Sequence, residues 1–170
     1  MIQNERINLR SFFTIMEKKI FEILIGTWTL VELIEVPLNG GETIHPMGTE
    51  PKGIIIYNND GYMSAQIMKS DRQKSKTKVS TDFLEKQDES ESLAYLAYSG
   101  PFQTNDEKQT VSHTMFVSLF KNWRGQTQNR KVLFKNGLLH LETEQPFLSN
   151  SQLVTHKLTW KRITQSNKNI

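Results

Sequence analysis

Three nitrogen-bearing side chains, His113, Arg130 and His156, lie at alternate positions in apolar, strand-like segments of this 170-residue chain. The segments are 109–119, 126–134 and 152–162. Because successive side chains of a strand point to opposite faces, each of the three shares its face with apolar residues, and we expect all three to enter one interior. There they could orient the polar end of a bound molecule, and His113 could transfer a proton, since imidazole titrates near neutrality.

An inward Arg130 requires a partner, because an unpaired buried charge costs far more free energy than a hydrogen bond returns. Glu32 is predicted to share the inner face of the first strand with Trp28, and it is the only carboxylate on that face. A Glu32–Arg130 ion pair is therefore one candidate. A carboxylate or enolate of a ligand is the other.

The elements that would position these residues follow from periodicity and turn residues. Asn59-Asp60-Gly61 is typical of a tight hairpin, and Gly100-Pro101 is expected to end a helical segment. The predicted order is a helix at 11–24, a first strand at 27–36, a hairpin of 53–58 and 62–68, a polar loop at 69–78, a helical insertion from Asp82 to Ala97, and at least four strands within 101–163.

Many short strands with one helical insertion indicate an all-β fold with short helices, an antiparallel barrel of about eight strands. Such a barrel has room for side chains or for one small ligand. We expect an N-terminal extension at 1–19, a single barrel domain at 20–164 and a flexible tail at 165–170. Met16 is a second candidate for the native start, besides Met1.

Composition argues against several classes of function. The formal charge of +3 gives no indication of nucleic-acid binding, and charged residues interrupt the apolar run at 12–25, so no membrane span is predicted. The absence of cysteine makes a reducing cytoplasm the expected compartment. The four histidines lack metal-ligand spacing and no phosphate-binding loop is present, so we predict neither a metal nor a cofactor. The sequence does not indicate an oligomeric state.

An ordered set of short motifs runs from Leu24 to Ile163. The motifs are Gly26-Thr27-Trp28; Pro51-Lys52-Gly53 through Tyr57; Asp60-Gly61-Tyr62-Met63-Ser64-Ala65-Gln66; Ala97-Tyr98-Ser99-Gly100; His113 with Ser118-Leu119-Phe120; Asn122-Trp123 with Gly125; Arg130; and His156 to Arg162. In this order they resemble the lipocalin-like domains of the calycin group, in particular a bacterial and fungal branch of about this length.

The resemblance implies a cup-shaped barrel. Lipocalin-like relatives mostly bind small hydrophobic molecules, and some distant microbial members catalyse cyclisations or isomerisations. The resemblance also implies that Trp28 packs against a basic side chain of the last strand, most naturally Arg162. A cation–π contact of this kind contributes about 0.5–2 kcal/mol.

We therefore expect a barrel that binds a small, largely apolar molecule carrying a polar or acidic group. The polar end would be oriented by Gln66, His113, Arg130 and His156, and the apolar part would be covered by Met63 or Met68 and by Trp123. One alternative is a cyclase or isomerase, with His113 as general acid or base and Arg130 stabilising an oxyanion. The other is a filled barrel with a structural or interaction role.

Overall fold

Antiparallel strands form most of the structure. The computed structural model describes residues 19–71 and 94–164. A short helix, α1 (Ile20–Leu24), precedes the strands, and a 3₁₀ turn lies at Lys121–Trp123. The strands are β1 (Gly26–Pro37), β2 (Lys52–Tyr57), β3 (Tyr62–Met68), β4 (Tyr95–Asn105), β5 (Thr110–Thr114), β6 (Val117–Ser118), β7 (Thr127–Lys135), β8 (Leu138–Thr143), β9 (Phe147–Ser149) and β10 (Gln152–Arg162).

Eight of these strands close into a barrel. Their order is β1-β2-β3-β4-β5-β7-β8-β10, and β10 pairs back with β1. Every pairing is antiparallel, β6 is added to β4, and β9 pairs with the first residues of β10. The predicted antiparallel barrel of about eight strands is confirmed. Closure leaves the ring without the free strand edges at which sheets aggregate.

Helix α1 covers one end of the barrel. The Phe21 ring stacks on Phe102 at 5.4 Å between centroids, and the backbone N–H of Ile20 donates to Oδ1 of Asp106 at 2.8 Å. We call this the α1 end. The connection between β5 and β7, residues 115–126, lies at the opposite end, because β5 starts beside Asp106 and runs away from it.

The predicted contact between Trp28 and Arg162 forms at the α1 end. The guanidinium carbon of Arg162 lies 4.1 Å from the Trp28 ring centroid. The same guanidinium donates to the backbone carbonyls of Ile25, at 2.6 Å, and Ile23, while the Trp28 indole N–H donates to Leu24 O at 2.8 Å. Arg162 thus satisfies carbonyls at the end of α1 that have no partner within the helix.

The predicted helices are only partly confirmed by the structure. Of the helix predicted at 11–24, residues 20–24 are helical and residues 11–18 lie outside the described part. Most of the insertion predicted from Asp82 to Ala97 also lies outside it. Residues 95–97 are strand and not helix, so that end of the prediction is wrong. β4 runs straight through Gly100-Pro101, and these two residues pair with Met63 and Tyr62 of β3.

Gly100 permits this path because of a close backbone approach. A Cβ atom at this position would lie 1.9 Å from the carbonyl oxygen of Thr114 and 2.7 Å from the nitrogen of Phe116. Both neighbours are backbone atoms of the chain that leaves β5, so neither can rotate away. The glycine therefore marks a crossing of two backbones and not the end of an element.

Replacing this glycine tests the crossing. Gly100→Ala is expected to lower the free energy of unfolding by about 2 kcal/mol, because β4 and the end of β5 must move apart. Gln103→Ala, an exposed position of the same strand, is the control and should change stability by less than about 0.5 kcal/mol. Urea denaturation measures both variants. Equal stability of Gly100→Ala and wild type would contradict the close approach.

Left-handed residues form two of the hairpin turns. In the β7–β8 hairpin, Asn136 and Gly137 both take positive φ, at 53° and 76°. In the β2–β3 hairpin only Gly61 takes a positive φ, of 84°. Asp60 contributes through its side chain, which accepts a hydrogen bond from the backbone N–H of Tyr62. Asp-Gly therefore forms the expected hairpin with one left-handed residue and a side-chain hydrogen bond.

The strand predicted over 109–119 is shorter than expected. β5 ends at Thr114, and the chain then turns so that the backbone of Phe116 and Leu119 bonds to β4. His113 faces inward as predicted, but Val117 and Leu119 leave the shared face and are exposed. The inward alternation of this segment stops at Met115.

Candidate ligand-binding site

A cluster of four polar side chains lies inside the barrel. β2 contributes Tyr57, β4 Tyr98, β5 His113 and β7 Arg130, and all four are buried. The Tyr57 hydroxyl lies 2.8 Å from Nε2 of His113, and the Tyr98 hydroxyl lies 3.3 Å from Nδ1. The two tyrosines therefore hold both ring nitrogens of a histidine that is 1% exposed.

His113 is neutral at physiological pH. Burial, assisted by the positive charge of Arg130, lowers the pKa of its imidazole from 6.5 to about 3. One ring nitrogen must then donate a hydrogen bond and the other must accept one. Burial also raises the pKa of both tyrosines, an effect that the charge of Arg130 partly offsets; at Tyr98 a hydrogen-bonding interaction with Arg130 adds to this offset. Arg130 is thus the charged member of the cluster.

The guanidinium of Arg130 is incompletely paired. The side chain is 7% exposed, and its Nη2 donates to Oε1 of Gln128 at 2.7 Å. Its Nη1 is buried and has no hydrogen-bond partner. Within the part of the chain that the structure describes, no carboxylate lies at ion-pair distance from Arg130. An acceptor atom of a bound molecule would supply the hydrogen-bond partner that Nη1 lacks.

The predicted Glu32–Arg130 ion pair is wrong, and a β-bulge in β1 is the reason. The pairing of β1 with β10 shifts between Leu30 and Glu32, which inserts Val31 as an extra residue. Trp28 and Leu30 point inward before the bulge, but Leu33 and Glu35 do so after it. A bulge of one residue exchanges the two faces of a strand, so Glu35 replaces Glu32 as the inner carboxylate.

Glu35 is already occupied by partners of its own. Nε2 of His156 lies 2.8 Å from Oε1 of Glu35, and the Ser149 hydroxyl lies 3.1 Å and 3.0 Å from the two carboxylate oxygens. Burial lowers the pKa of His156, and Arg130 acts in the same direction, although the bond to Glu35 opposes both. A neutral His156 whose Nε2–H donates a hydrogen bond to Glu35 gives this carboxylate a partner without Arg130. His156 and Glu35 therefore form a pair separate from the Arg130 cluster.

The model of the lipocalin-like domain family matches residues 25–163, most of the chain. The chain belongs to the lipocalin-like domain family. It is also 34% identical over 110 residues to a 4'-hydroxy-3'-methoxypropiophenone carrier protein of Aspergillus oryzae, a match that covers 59% of this chain and 96% of the fungal protein.

Trp123 of this lipocalin-like barrel lies beside the buried cluster. It ends the 3₁₀ turn in the 115–126 connection, is half-buried, and packs edge-on against Tyr98 at 6.1 Å between centroids. The Phe120 ring also contacts Trp123, at 4.9 Å between centroids. Trp123 is therefore linked to His113 through a single side chain, Tyr98, at the end of the barrel opposite α1.

Strand β3 divides the remaining predicted site residues between its two faces. Met63 is buried and faces the interior. Gln66 and Met68 are exposed on the outer face, where Gln66 accepts a hydrogen bond from the Tyr95 hydroxyl at 3.1 Å. The structure thus does not bring Gln66 or Met68 together with His113 and Arg130. The alternation of Met63, Ala65 and Ile67 was the signal that places Gln66 outside.

Sequence reasoning missed the polar role of Tyr57, Tyr98 and Glu35. Neither tyrosine lies in a local pattern that predicts a polar contact, because their bonds to His113 depend on strands that are far apart in sequence. Strand alternation does place Tyr57 inward with Ile55, which is a usable signal for that residue. Glu35 gave no such signal, because its face depends on the bulge.

In residues 19–71 and 94–164, no group of three or more His, Asp or Glu side chains is placed to hold a metal ion. The same residues contain no helix long and apolar enough to cross a membrane.

Proposed function

We propose that this lipocalin-like protein binds a small, largely apolar molecule in its barrel, with an acceptor oxygen of that molecule on Arg130. The observation that carries the proposal is the buried Nη1 of Arg130, which has no acceptor. A buried donor without a partner lowers stability, and a charged one does so most. A carbonyl, phenolate or carboxylate oxygen would complete its hydrogen bonding, while the apolar interior takes up the rest of the ligand.

The fungal relative supports a carrier role and suggests a ligand class. Its name describes a carrier of a propiophenone with hydroxy and methoxy groups on the ring. Such an aryl ketone is flat and largely apolar, and it bears oxygens at both ends of its ring. We propose that the ligand of the present protein shares these features.

Two further donors favour a ligand that has more than one oxygen. If Tyr57 donates to Nε2 of His113, then Nδ1–H donates to Tyr98, and the Tyr98 hydroxyl hydrogen is left for a ligand beside Arg130. The buried indole nitrogen of Trp160 is also without a partner. Trp160 lies four residues beyond His156 on β10, about 13 Å closer to the α1 end.

The enzyme alternative receives less support from the same cluster. A general base works best when its pKa lies near the working pH, and the pKa of His113 is about 3. Both of its ring nitrogens are engaged by tyrosines. These features favour a histidine that fixes the orientation of Tyr98 over one that exchanges protons with a substrate.

Calorimetric titration with three probes of one skeleton tests the proposal. The probes are 4'-hydroxy-3'-methoxypropiophenone, 3-phenylpropanoate and propylbenzene, which carry a ketone with ring hydroxy and methoxy groups, a carboxylate, and no oxygen, respectively. At least one oxygen-bearing probe is expected to bind about 10- to 100-fold more tightly than propylbenzene, the range of a charge-assisted hydrogen bond. Equal affinity for all three would show that Arg130 does not contribute to ligand recognition. Failure of every probe to bind would favour the filled barrel.

A further inference from the structure

The 115–126 connection exposes three large apolar side chains within four residues. Phe116 is 73% exposed, Val117 59% and Leu119 40%. They lie outside the barrel, on the same connection that carries Trp123. We call Phe116, Val117 and Leu119 the apolar ridge. A cluster of exposed apolar side chains of this kind marks an interaction surface more often than an isolated one does.

Backbone hydrogen bonds hold the ridge in this position. The N–H of Phe116 donates to Ser99 O and the N–H of Leu119 donates to Ala97 O, each at 2.9 Å. The two ends of the connection are tied by bonds from Gly125 to Met115 at 2.8 Å and from Met115 to Gln126 at 2.9 Å. The ridge cannot fold back over the barrel without breaking these bonds. Its exposure is thus a property of the fold.

The charged side chains of the 115–126 connection are all basic. Lys121 and Arg124 follow the ridge within this connection, and both are exposed. Residues 115–126 contain no Asp or Glu. Exposed apolar side chains beside basic ones, with a tryptophan at their edge, match the chemistry of an anionic lipid surface, which offers both acyl chains and negative headgroups.

We propose that the apolar ridge docks this protein on anionic membrane surfaces. Phe116, Val117 and Leu119 enter the boundary between headgroups and acyl chains, and Lys121 and Arg124 contact the headgroups. Docking in this orientation turns the end of the barrel that carries Trp123 toward the lipid. This docking involves only the outer surface and does not depend on what the barrel binds.

Vesicle flotation without any ligand tests this docking. Wild-type protein is expected to bind vesicles of equimolar phosphatidylcholine and phosphatidylglycerol at least about tenfold more tightly than vesicles of phosphatidylcholine alone. Brominated lipid should quench Trp123 selectively, because Trp28 and Trp160 are 0% and 1% exposed. The double variant Phe116→Ser, Val117→Ser should lose about tenfold or more in affinity. Lys121→Gln with Arg124→Gln should reduce binding to the mixed vesicles alone.

A matched control uses apolar residues toward the α1 end of the barrel, away from the ridge. Tyr62, the first residue of β3, and Leu133 of β7 are 53% and 56% exposed. Tyr62→Ser with Leu133→Ser should leave vesicle binding unchanged. Equal binding to both lipid mixtures, no binding, or loss of binding in this control would overturn the proposal. So would sedimentation that shows a dimer which Phe116→Ser dissociates, since the ridge would then belong to a second copy of the chain.

Discussion

Lowering the pH from 7 to 5 is expected to reduce the free energy of unfolding by about 2 kcal/mol through His113. Its pKa is 6.5 as a free side chain and about 3 in the folded barrel. Below pH 6.5 the unfolded chain takes up a proton that the folded chain rejects, so acid favours unfolding. The stability is fully present above pH 6.5 and is lost progressively toward pH 3. The lowered pKa of His156 acts in the same direction.

Urea denaturation at pH 7 and pH 5, at constant ionic strength, measures this loss. His113→Gln should be less stable than wild type at pH 7, because the tyrosine bonds are weakened, but it should lose much less stability on acidification. His45 is exposed, so His45→Gln serves as the control and should keep the full pH dependence. A His113→Gln variant as acid-sensitive as wild type would show that the imidazole is not buried between the tyrosines.

The eight-stranded ring could be predicted because its determinants are local. Alternation identifies strands, and residues such as Gly61 and Asn136-Gly137 identify hairpins, without knowledge of distant contacts. Residues 95–97 were misassigned because their apolar spacing suits a short helix as well as a strand. The pairing with β3 decides between the two, and it cannot be read from a short segment.

The inward-facing residues of the site could be predicted in strands whose alternation is not interrupted by a bulge. His113 and Arg130 lie in strands without bulges, and both point inward as predicted. The prediction that Glu32 faces inward was wrong because Val31 adds one residue to β1. Neither Gly nor Pro marks the position of this bulge in the sequence. The bonds from Tyr57 and Tyr98 to His113 join β2 and β4 to β5 across the interior, so they require the closed barrel.

Arg130 is expected to affect both the stability of the barrel and its affinity for a ligand. Arg130→Met should change these two properties in opposite directions. We expect this variant to be as stable as wild type or more stable by about 1–2 kcal/mol, because it removes a buried charge that lacks a carboxylate partner and keeps a similar volume. Gln128, which loses its bond to Nη2, is half-buried and can turn to water. The same variant should bind the oxygen-bearing probes about 10- to 100-fold more weakly. A functional site that reduces stability behaves in this way.

Chemical denaturation, calorimetry and an NMR titration of His113 together decide the role of Arg130. Since the charge of Arg130 helps to lower the pKa of His113, that pKa should rise in Arg130→Met. Lys131→Met, on the exposed side of the same strand, should alter neither the His113 titration nor binding. A loss of several kcal/mol in Arg130→Met, with unchanged affinity for the probes, would mean that Arg130 supports the fold instead of a ligand. Greater stability together with lost binding would mean that the barrel retains a destabilising charge because its ligand requires it.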